Sequence, residues 1–450
     1  MHLDRRTLLT TGLATTGLAT AAVAAGPRDQ PREQGQSPFV LLPDETRDQT
    51  AELQAAIDQA AERGVPLTLA AGTFRVGALA LRANTRLIGA SRQTVLEFSG
   101  GGTFLTAKDA KGIRLESLVL DGNGLGIDAT RATGLIQLDD CDGFSLCDLE
   151  VRRGLLNGIS LSRSSGSVAD CWVHDFSQAG LLSLDATGLT ISHNQVTDCA
   201  NNGIQIWRSA PGEDGSIVSA NRIERIAAKS GGSGQNGNGI NVFRAGGVLV
   251  SGNRISDCAY SAVRGNAARN IQIIGNACRT IGEVALYAEF AFEGALIASN
   301  LVEGAASGIA VTNFNEGGRL AVVQGNLVRD LFRREQEPVD KRGVGISVEA
   351  DAAVTSNVIE GAPTAGIIAG WGAYLRDVAI TGNLIRSSGV GILISSDPAA
   401  GACLVSQNMI SGARDGAIRA MDHGEPNGPD LASAEPPKGG RIAISGNLSV

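Results

Sequence analysis

The sequence predicts an all-β fold: a single-stranded right-handed parallel β-helix with coils of about 23 residues and a short N-terminal capping helix. Three observations predict it. The chain holds 59 Gly in 450 residues but only 4% aromatics. A globular core needs more large side chains than that, whereas a stack of thin coils does not, and glycine serves its turns. An Asn-x-(Ile/Val/Leu) unit recurs at Asn194, Asn221, Asn253, Asn276, Asn300, Asn326, Asn357, Asn383, Asn408 and Asn447, with steps of 27, 32, 23, 24, 26, 31, 26, 25 and 39. The shortest steps give the basic coil, and insertions lengthen the others. Finally, glycines at 203, 239, 308, 345, 366, 391 and 416 follow these units. Apolar pairs such as Ile204/Ile206 and Ile240/Val242 come just after them, alternating with period two as strands do.

In chain order, residues 1–25 read as a targeting segment rather than fold. Arg5 and Arg6 form a charged start, Leu8 to Ala25 is mildly apolar, and Ala22-Val23-Ala24 offers small residues for cleavage. Adjacent arginines followed by Thr7-Leu8-Leu9 resemble a twin-arginine signal, with an ordinary secretory signal carrying two basic residues as the alternative, so the expected partner is the twin-arginine translocase and the expected location is periplasmic or secreted. No segment is apolar enough for a membrane span in the mature chain. Residues 26–45, with Pro27, Pro31, Pro38 and Pro43, read as a linker. Over 46–64, Leu53, Ala56, Ile57, Ala60 and Ala61 fall at helical spacing, Asp48 or Thr50 can cap, and Gly64 ends the run. This helix would lid the first coil, whose interior and strand edges would otherwise face water.

The β-helix domain then fills 46–450. Leucine-rich repeats share the period but need a leucine-dense consensus that is absent. The recurrent Asn residues suit a left-handed turn, with amides bonding up the stack, and are structural. Insertions at 122–134, 226–238, 332–343 and 421–440 are expected as loops that wall a groove, and either the long loop over 420–440 or another chain would cover the unfinished last coil. The seven cysteines are expected as mostly buried free thiols. Cys199 and Cys258 share a column, but another coil between them sets them ~10 Å apart, beyond disulfide reach.

Three segments carry a resemblance. Asp48 to Ile57 leads to Leu69-Ala70-Ala71-Gly72-Thr73-Phe74-Arg75-Val76, and Leu87-Ile88-Gly89-Ala90 comes after it. This resembles the entry of the pectate-lyase-like superfamily: cap helix, first strand, first coil. With Arg5-Arg6 and the Asn/Gly repeats, the chain resembles the twin-arginine-translocated uncharacterised repeat protein family over essentially its whole length. The resemblance implies repeats related to those of carbohydrate-active enzymes such as alginate epimerases. The chain departs from them in its motifs. It has neither the Asp-Asp with Gly-His-Gly of polygalacturonases nor the Asp-Pro-His of alginate epimerases, and Asp139-Asp140 alone does not replace the former.

A net charge of −8 leaves no basic footprint, so no nucleic acid is expected. Gly122-Asn123-Gly124 and Gly231-Gly232-Ser233-Gly234 lack the context of phosphate loops, and no zinc spacing occurs. Stacking the Gly-(Ile/Val) strands instead predicts two outward columns. One runs Gln137, Ser160, Ser183, Gln205, Asn241, Arg264, Tyr287, Ala310, Ser347. The other runs Asp139, Ser162, Asp185, Trp207, Phe243, Asn266, Glu289, Thr312, Glu349. Aromatic faces stack on sugars, amides and carboxylates bond hydroxyls, and arginines such as Arg244 and Arg264 pair with uronate carboxylates.

Substrate-binding candidates are therefore Gln205, Trp207, Asn241, Phe243, Arg244, Asn266 and Glu349. Catalytic candidates are Arg264, Tyr287 and Glu289, since proton abstraction beside a carboxylate needs a neutralising cation and a base; the alternative is that Arg264 and Glu289 form a surface ion pair between neighbouring coils. Asp139 with Asp185 is a weaker pair for hydrolysis. Asp148, Asp170 and His193, with His174 nearby, stack before the repeat Asn and could hold Ca²⁺. A hydrogen-bonded turn ladder accounts for the same column. The expected function is binding or modification of a polysaccharide, uronic-acid polymers included, as lyase, epimerase or hydrolase. The alternative is a non-catalytic carbohydrate-binding or envelope-structural repeat protein.

Overall fold

The computed structural model describes residues 39–450 except 233, 335–342 and 434–439. The proposed signal and most of the proposed linker lie outside the described residues. The described chain winds into a right-handed parallel β-helix of about 15 turns. Each turn contributes a strand to each of three parallel sheets. In one middle coil these are Asn238–Gly246, Leu249–Ser251 and Arg254–Cys258, before Val263–Asn266 begins the next. We call these the first, second and third sheets. Ile240, Val242, Val250, Ile255 and Cys258 point inward from them, all 3% exposed or less. Each coil buries only a few such side chains, so stability comes from stacking neighbours.

The helix spans Thr50–Glu62 and lays Leu53, Ile57 and Ala60 on the open end of the first coils. Asp48 Oδ1 accepts from the Thr50 amide at 2.8 Å, while Thr50 Oγ1 accepts from the Gly77 amide at 2.6 Å. Gly64, at φ +66°, turns the chain out of the helix. Part of the supposed linker is strand. Phe39–Leu41 pairs in parallel with Leu67–Leu69 and extends the second sheet by one member.

The repeat Asn residues line the corner between the second and third sheets. Each one is fully used. Asn276 Oδ1 accepts from the backbone amide and Nδ2 of Asn253, and Asn276 Nδ2 donates to Val250 O and Asn300 Oδ1, at 2.9–3.0 Å. The left-handed residue is the one before the Asn, not the Asn itself: His193, Ala220, Gly252, Gly275, Ser299 and Gly325 all have φ between +55° and +68°. The Asn therefore acts through its side chain and leaves the turn's backbone to its neighbour.

The seven cysteines are free, six of them buried. Cys199 and Cys258 are separated by Ile226 on the intervening coil. Burial pushes the Cys171, Cys199, Cys278 and Cys403 thiols up to about 12. The 420–440 region is not simply a loop: Ile418–Asp422 and Glu425–Asp430 pair as an antiparallel hairpin. Beyond it, Leu431 and Ala432 pack on the end of the core.

Candidate functional site

The first sheet presents the expected columns, with one correction. Gln137 lies beside Ser160, but Ser160 lies beside Leu182, a step of 22. A bulge at Asp142/Phe144 in the second sheet absorbs the missing residue. Ser183 thus points inside, 0% exposed, and Asp185 sits in a left-handed turn at φ +55°. Asp139 and Asp185 do not share a column. From Leu182 onward the register is as expected: Gln205, Asn241, Arg264, Tyr287, Ala310 and Ser347 stack in one column. Trp207, Phe243, Asn266 and Glu289 stack in the next. Beyond Ser347 the first column turns apolar, with Ile368 and Leu393.

These columns face out of the barrel, yet the first is largely hidden: Gln205, Asn241, Arg264 and Tyr287 are 4–6% exposed. The 226–238 insertion contributes to this cover. It brings Gly234 and Gln235 over the sheet, and with Trp207, Asn241, Phe243, Arg264, Asn266, Glu289 and Phe290 they enclose a pocket of about 250 Å³. Trp207 meets Phe243 edge-on, ring centroids 6.1 Å apart, and its Nε1 donates to Asn241 Oδ1 at 3.0 Å. Phe290 stands 41% exposed at the rim.

The pocket's charged floor is self-contained. Arg264 Nε and Nη2 donate to the two oxygens of Glu289 at 2.6 and 2.7 Å, and Nη1 donates to Glu283 at 3.2 Å. Asn266 Nδ2 adds a 2.9 Å bond to Glu289. Burial opposes the Arg264 charge, but the Glu289 and Glu283 carboxylates outweigh it and hold the guanidinium above its ordinary value. The Arg264 guanidinium also lies over the Tyr287 ring at 5.0 Å. Burial, with Glu289 adding to it, pushes the Tyr287 phenol well above its usual range. A phenol held protonated in this way is a poor base at neutral pH.

Three binding candidates do not line the pocket: Gln205, which is buried in the first column, Arg244 and Glu349. The Arg244 guanidinium sits 4.6 Å over the Phe243 ring and donates to Ser209 O at 2.8 Å. Glu349 accepts from the Phe314 amide at 2.6 Å. Sequence reasoning missed Gly234, Gln235 and Glu283 as site residues. The 226–238 insertion was the available signal for the first two.

The proposed calcium column is corrected. Asp148, Asp170 and His193 do stack on successive coils, but at φ +49°, +55° and +59° they form the left-handed turn. Asp170 and His193 are exposed, and Asp148 accepts from Ser117 Oγ at 2.8 Å. Among the described residues no group of three or more His, Cys, Asp or Glu side chains is arranged to hold a metal ion. His174 belongs to a different cluster. It stacks on Trp172 at 4.0 Å, and its Nδ1 lies 2.7 Å from Asp175.

Comparison with known proteins places the chain. No curated protein matches it. Among solved structures it is similar to a PL6 alginate lyase in complex with a trisaccharide: 12% identity, TM-score 0.54, over 92% of this chain and 96% of that one. It is also similar to the N-terminal fragment of gene product 12 of bacteriophage Phi29: 18% identity, TM-score 0.50, over 88% and 68%. A third is the catalytic unit of a GH87 α-1,3-glucanase from Streptomyces thermodiastaticus strain HF3-3: 15% identity, TM-score 0.49, over 93% and 69%. At these identities the likeness establishes the fold alone. The family described as "Right handed beta helix region" matches residues 99–223, 157–327 and 212–385, more than half of the chain, and the protein belongs to that family.

Proposed function

We propose that this is an exported β-helix protein that binds a polysaccharide of the cell envelope or its surroundings, with uronic-acid polymers the first class to try. The observation that carries the reading is the pocket formed by Trp207, Phe243 and Phe290 with Asn241 and Asn266, which pairs aromatic surface with amides. That combination suits a sugar ring, whose faces are apolar and whose edge is hydroxyl. At about 250 Å³ the pocket suits one ring of a longer polymer. The likeness to an alginate lyase bound to a trisaccharide agrees in ligand class.

Binding is favoured over lyase, epimerase or hydrolase action by the state of the charged floor. A lyase of this kind needs a cation free for the uronate and a base free for the proton. Arg264 and Glu289 are spent on each other. The deciding experiment is affinity electrophoresis of the intact protein in gels containing alginate, polygalacturonate or a neutral glucan, with absorbance of unsaturated products followed in parallel. Retardation without product, lost in Trp207→Ala, is the expected result. Product formation would restore the enzymatic reading, and no retardation by any polymer would leave the envelope-structural alternative. Export by the twin-arginine route, and membership of the twin-arginine-translocated repeat proteins, are part of the same proposal. Replacing Arg5 and Arg6 together by Lys should hold the precursor in the cytoplasmic fraction.

A further inference from the structure

Several stacked arginines on this solenoid are interleaved with acids. On the outside of the third sheet Arg279, Glu303 and Arg329 succeed one another on consecutive coils, and the glutamate takes both cations at 3.0 Å. On the second sheet Glu293, Arg319, Asp351 and Arg376 do the same at 2.8, 2.9 and 2.7 Å. Alternation of this kind is what neighbouring charged columns require, since like charges set side by side across strands are destabilising.

Two places depart from it: Arg86 lies directly beside Arg114 on the second sheet, and a second arginine pair sits on the third, where it borders a depression. Arg222 and Arg254 are direct register partners on adjacent coils of the third sheet. Arg279 lies one coil on, in the next outward column, beside Ser256. Arg222 has Glu224 at 3.0 Å and Arg279 has Glu303 at 3.0 Å. Arg254 has no hydrogen bond or ion pair among the described residues. Nor are the two acids free to serve it. Glu224 also faces Arg225 at 3.2 Å, and Glu303 also faces Arg329. At the same place the columns narrow to Ser256 and Ala277, which leaves a depression of about 400 Å³ walled by the three arginines. Its far side is Leu301, an apolar side chain 39% exposed.

We propose that this depression is a second carbohydrate subsite, taking the carboxylate of an acidic sugar unit on Arg254 with Arg222 and Arg279 flanking. A carboxylate placed there supplies the missing counter-charge, and a guanidinium receives it through two parallel hydrogen bonds. Leu301 and Ala277 offer the ring an apolar side, which a bare inorganic anion could not use. The subsite lies on a different sheet from the Trp207 pocket, and the inference does not rest on that pocket binding sugar.

The test is titration calorimetry of the intact protein at low salt with trigalacturonate, a neutral glucose trimer and inorganic phosphate, for wild type, Arg254→Gln, Trp207→Ala and the double variant. Trigalacturonate should bind more tightly than phosphate, and more weakly as salt is added. Arg254→Gln should lose roughly tenfold in affinity for it, in both the wild-type and Trp207→Ala backgrounds. The neutral trimer should be indifferent to this substitution. Unliganded Arg254→Gln should melt no lower than wild type, because a like-charge contact has been removed, and this rules out misfolding as the cause. Equal affinities of wild type and Arg254→Gln would overturn the proposal. So would phosphate binding as tightly as the trimer, or a trimer signal abolished by Trp207→Ala alone.

Discussion

Arg264 reaches diagonally to Glu289 of the next coil and closes a two-pronged ion pair with 7% and 1% of the two side chains exposed. Such a pair is costly to break from one side only, because the remaining charge stays buried without its partner. Arg264→Ala and Glu289→Ala should each lower unfolding free energy by about 3–5 kcal/mol. Arg264→Lys should not rescue, because one ammonium cannot span both oxygens of Glu289 while also reaching Glu283. Urea unfolding checks this. A midpoint that falls without a change of slope marks lost stability in an unchanged fold. If either truncation left the midpoint in place, the pair would be available for chemistry instead.

The asparagine corner predicts a gradient along the rod. Asn276 makes four side-chain hydrogen bonds, all buried. Asn276→Ala would strip partners from donors and acceptors on the two flanking coils, at about 1–3 kcal/mol for each group left unsatisfied. Asn447 is the last member of the described ladder and is partly exposed, so water can replace much of what it gives. Asn447→Ala should cost about 1 kcal/mol or less. Calorimetric melting of the two variants side by side measures the difference, and equal losses would contradict the ladder as a cooperative element.

Much of this architecture was legible because it repeats. The Asn and Gly spacings give coil length, sheet and register from Leu182 to Ser347. The cap helix could be read from Leu53 and Ile57 at helical spacing. What did not repeat was not legible. The bulge at Asp142/Phe144 shifts one coil by a single residue, and period two then turns Ser183 from outside to inside. Phe39–Leu41 was hidden as strand by Pro38 and Pro43 on either side. The columns correctly place Arg264 near Glu289. A surface ion pair between them is legible too; its burial and its two-pronged geometry are not, and these move the reading from catalysis toward binding. The path of the 226–238 insertion has no periodicity at all, so the contact of Gly234 with Arg264 could not be foreseen.

Two buried aspartates predict opposite acid responses. Burial pushes Asp121 up, but Arg153, the Asn123 amide and Arg152 outweigh it and hold the carboxyl below its usual range. Its folded value lies below its unfolded one, so its stabilisation is present above about pH 4 and is lost as pH falls through the folded value. Asp214 is the reverse. Burial raises it, and its Oδ2 is buried with no hydrogen-bond partner among the described residues. Its charged form costs stability at neutral pH, and that cost is relieved as pH falls through the raised value. Asp121→Asn should therefore lower the melting temperature at pH 7, with the gap to wild type closing below about pH 4. Asp214→Asn should raise it at pH 7, on the order of 1 kcal/mol, with a gap that closes at higher pH than the other. Melting curves from pH 3 to 7 separate the two, and parallel curves for either variant would contradict its assignment.

Gly234 controls how closely the covering loop approaches the pocket floor. Its φ is +131°, where side chains are rarely tolerated, and a Cβ there would come within 2.0–2.4 Å of the Arg264 guanidinium. That guanidinium cannot easily move aside, since Glu289 holds it by two bonds. In Gly234→Ala the loop must lift, taking Gln235 away from the Trp207–Phe243 wall. The pocket should become more open and the Trp207 indole more accessible, with red-shifted emission and stronger quenching by acrylamide. Stability should fall by only about 1–2 kcal/mol, because the solenoid beneath is untouched. Sugar affinity should drop if the loop closes over the ring and stay level if the ring rests on the aromatic wall alone. An unchanged Trp207 environment would mean that the loop does not rest on Arg264.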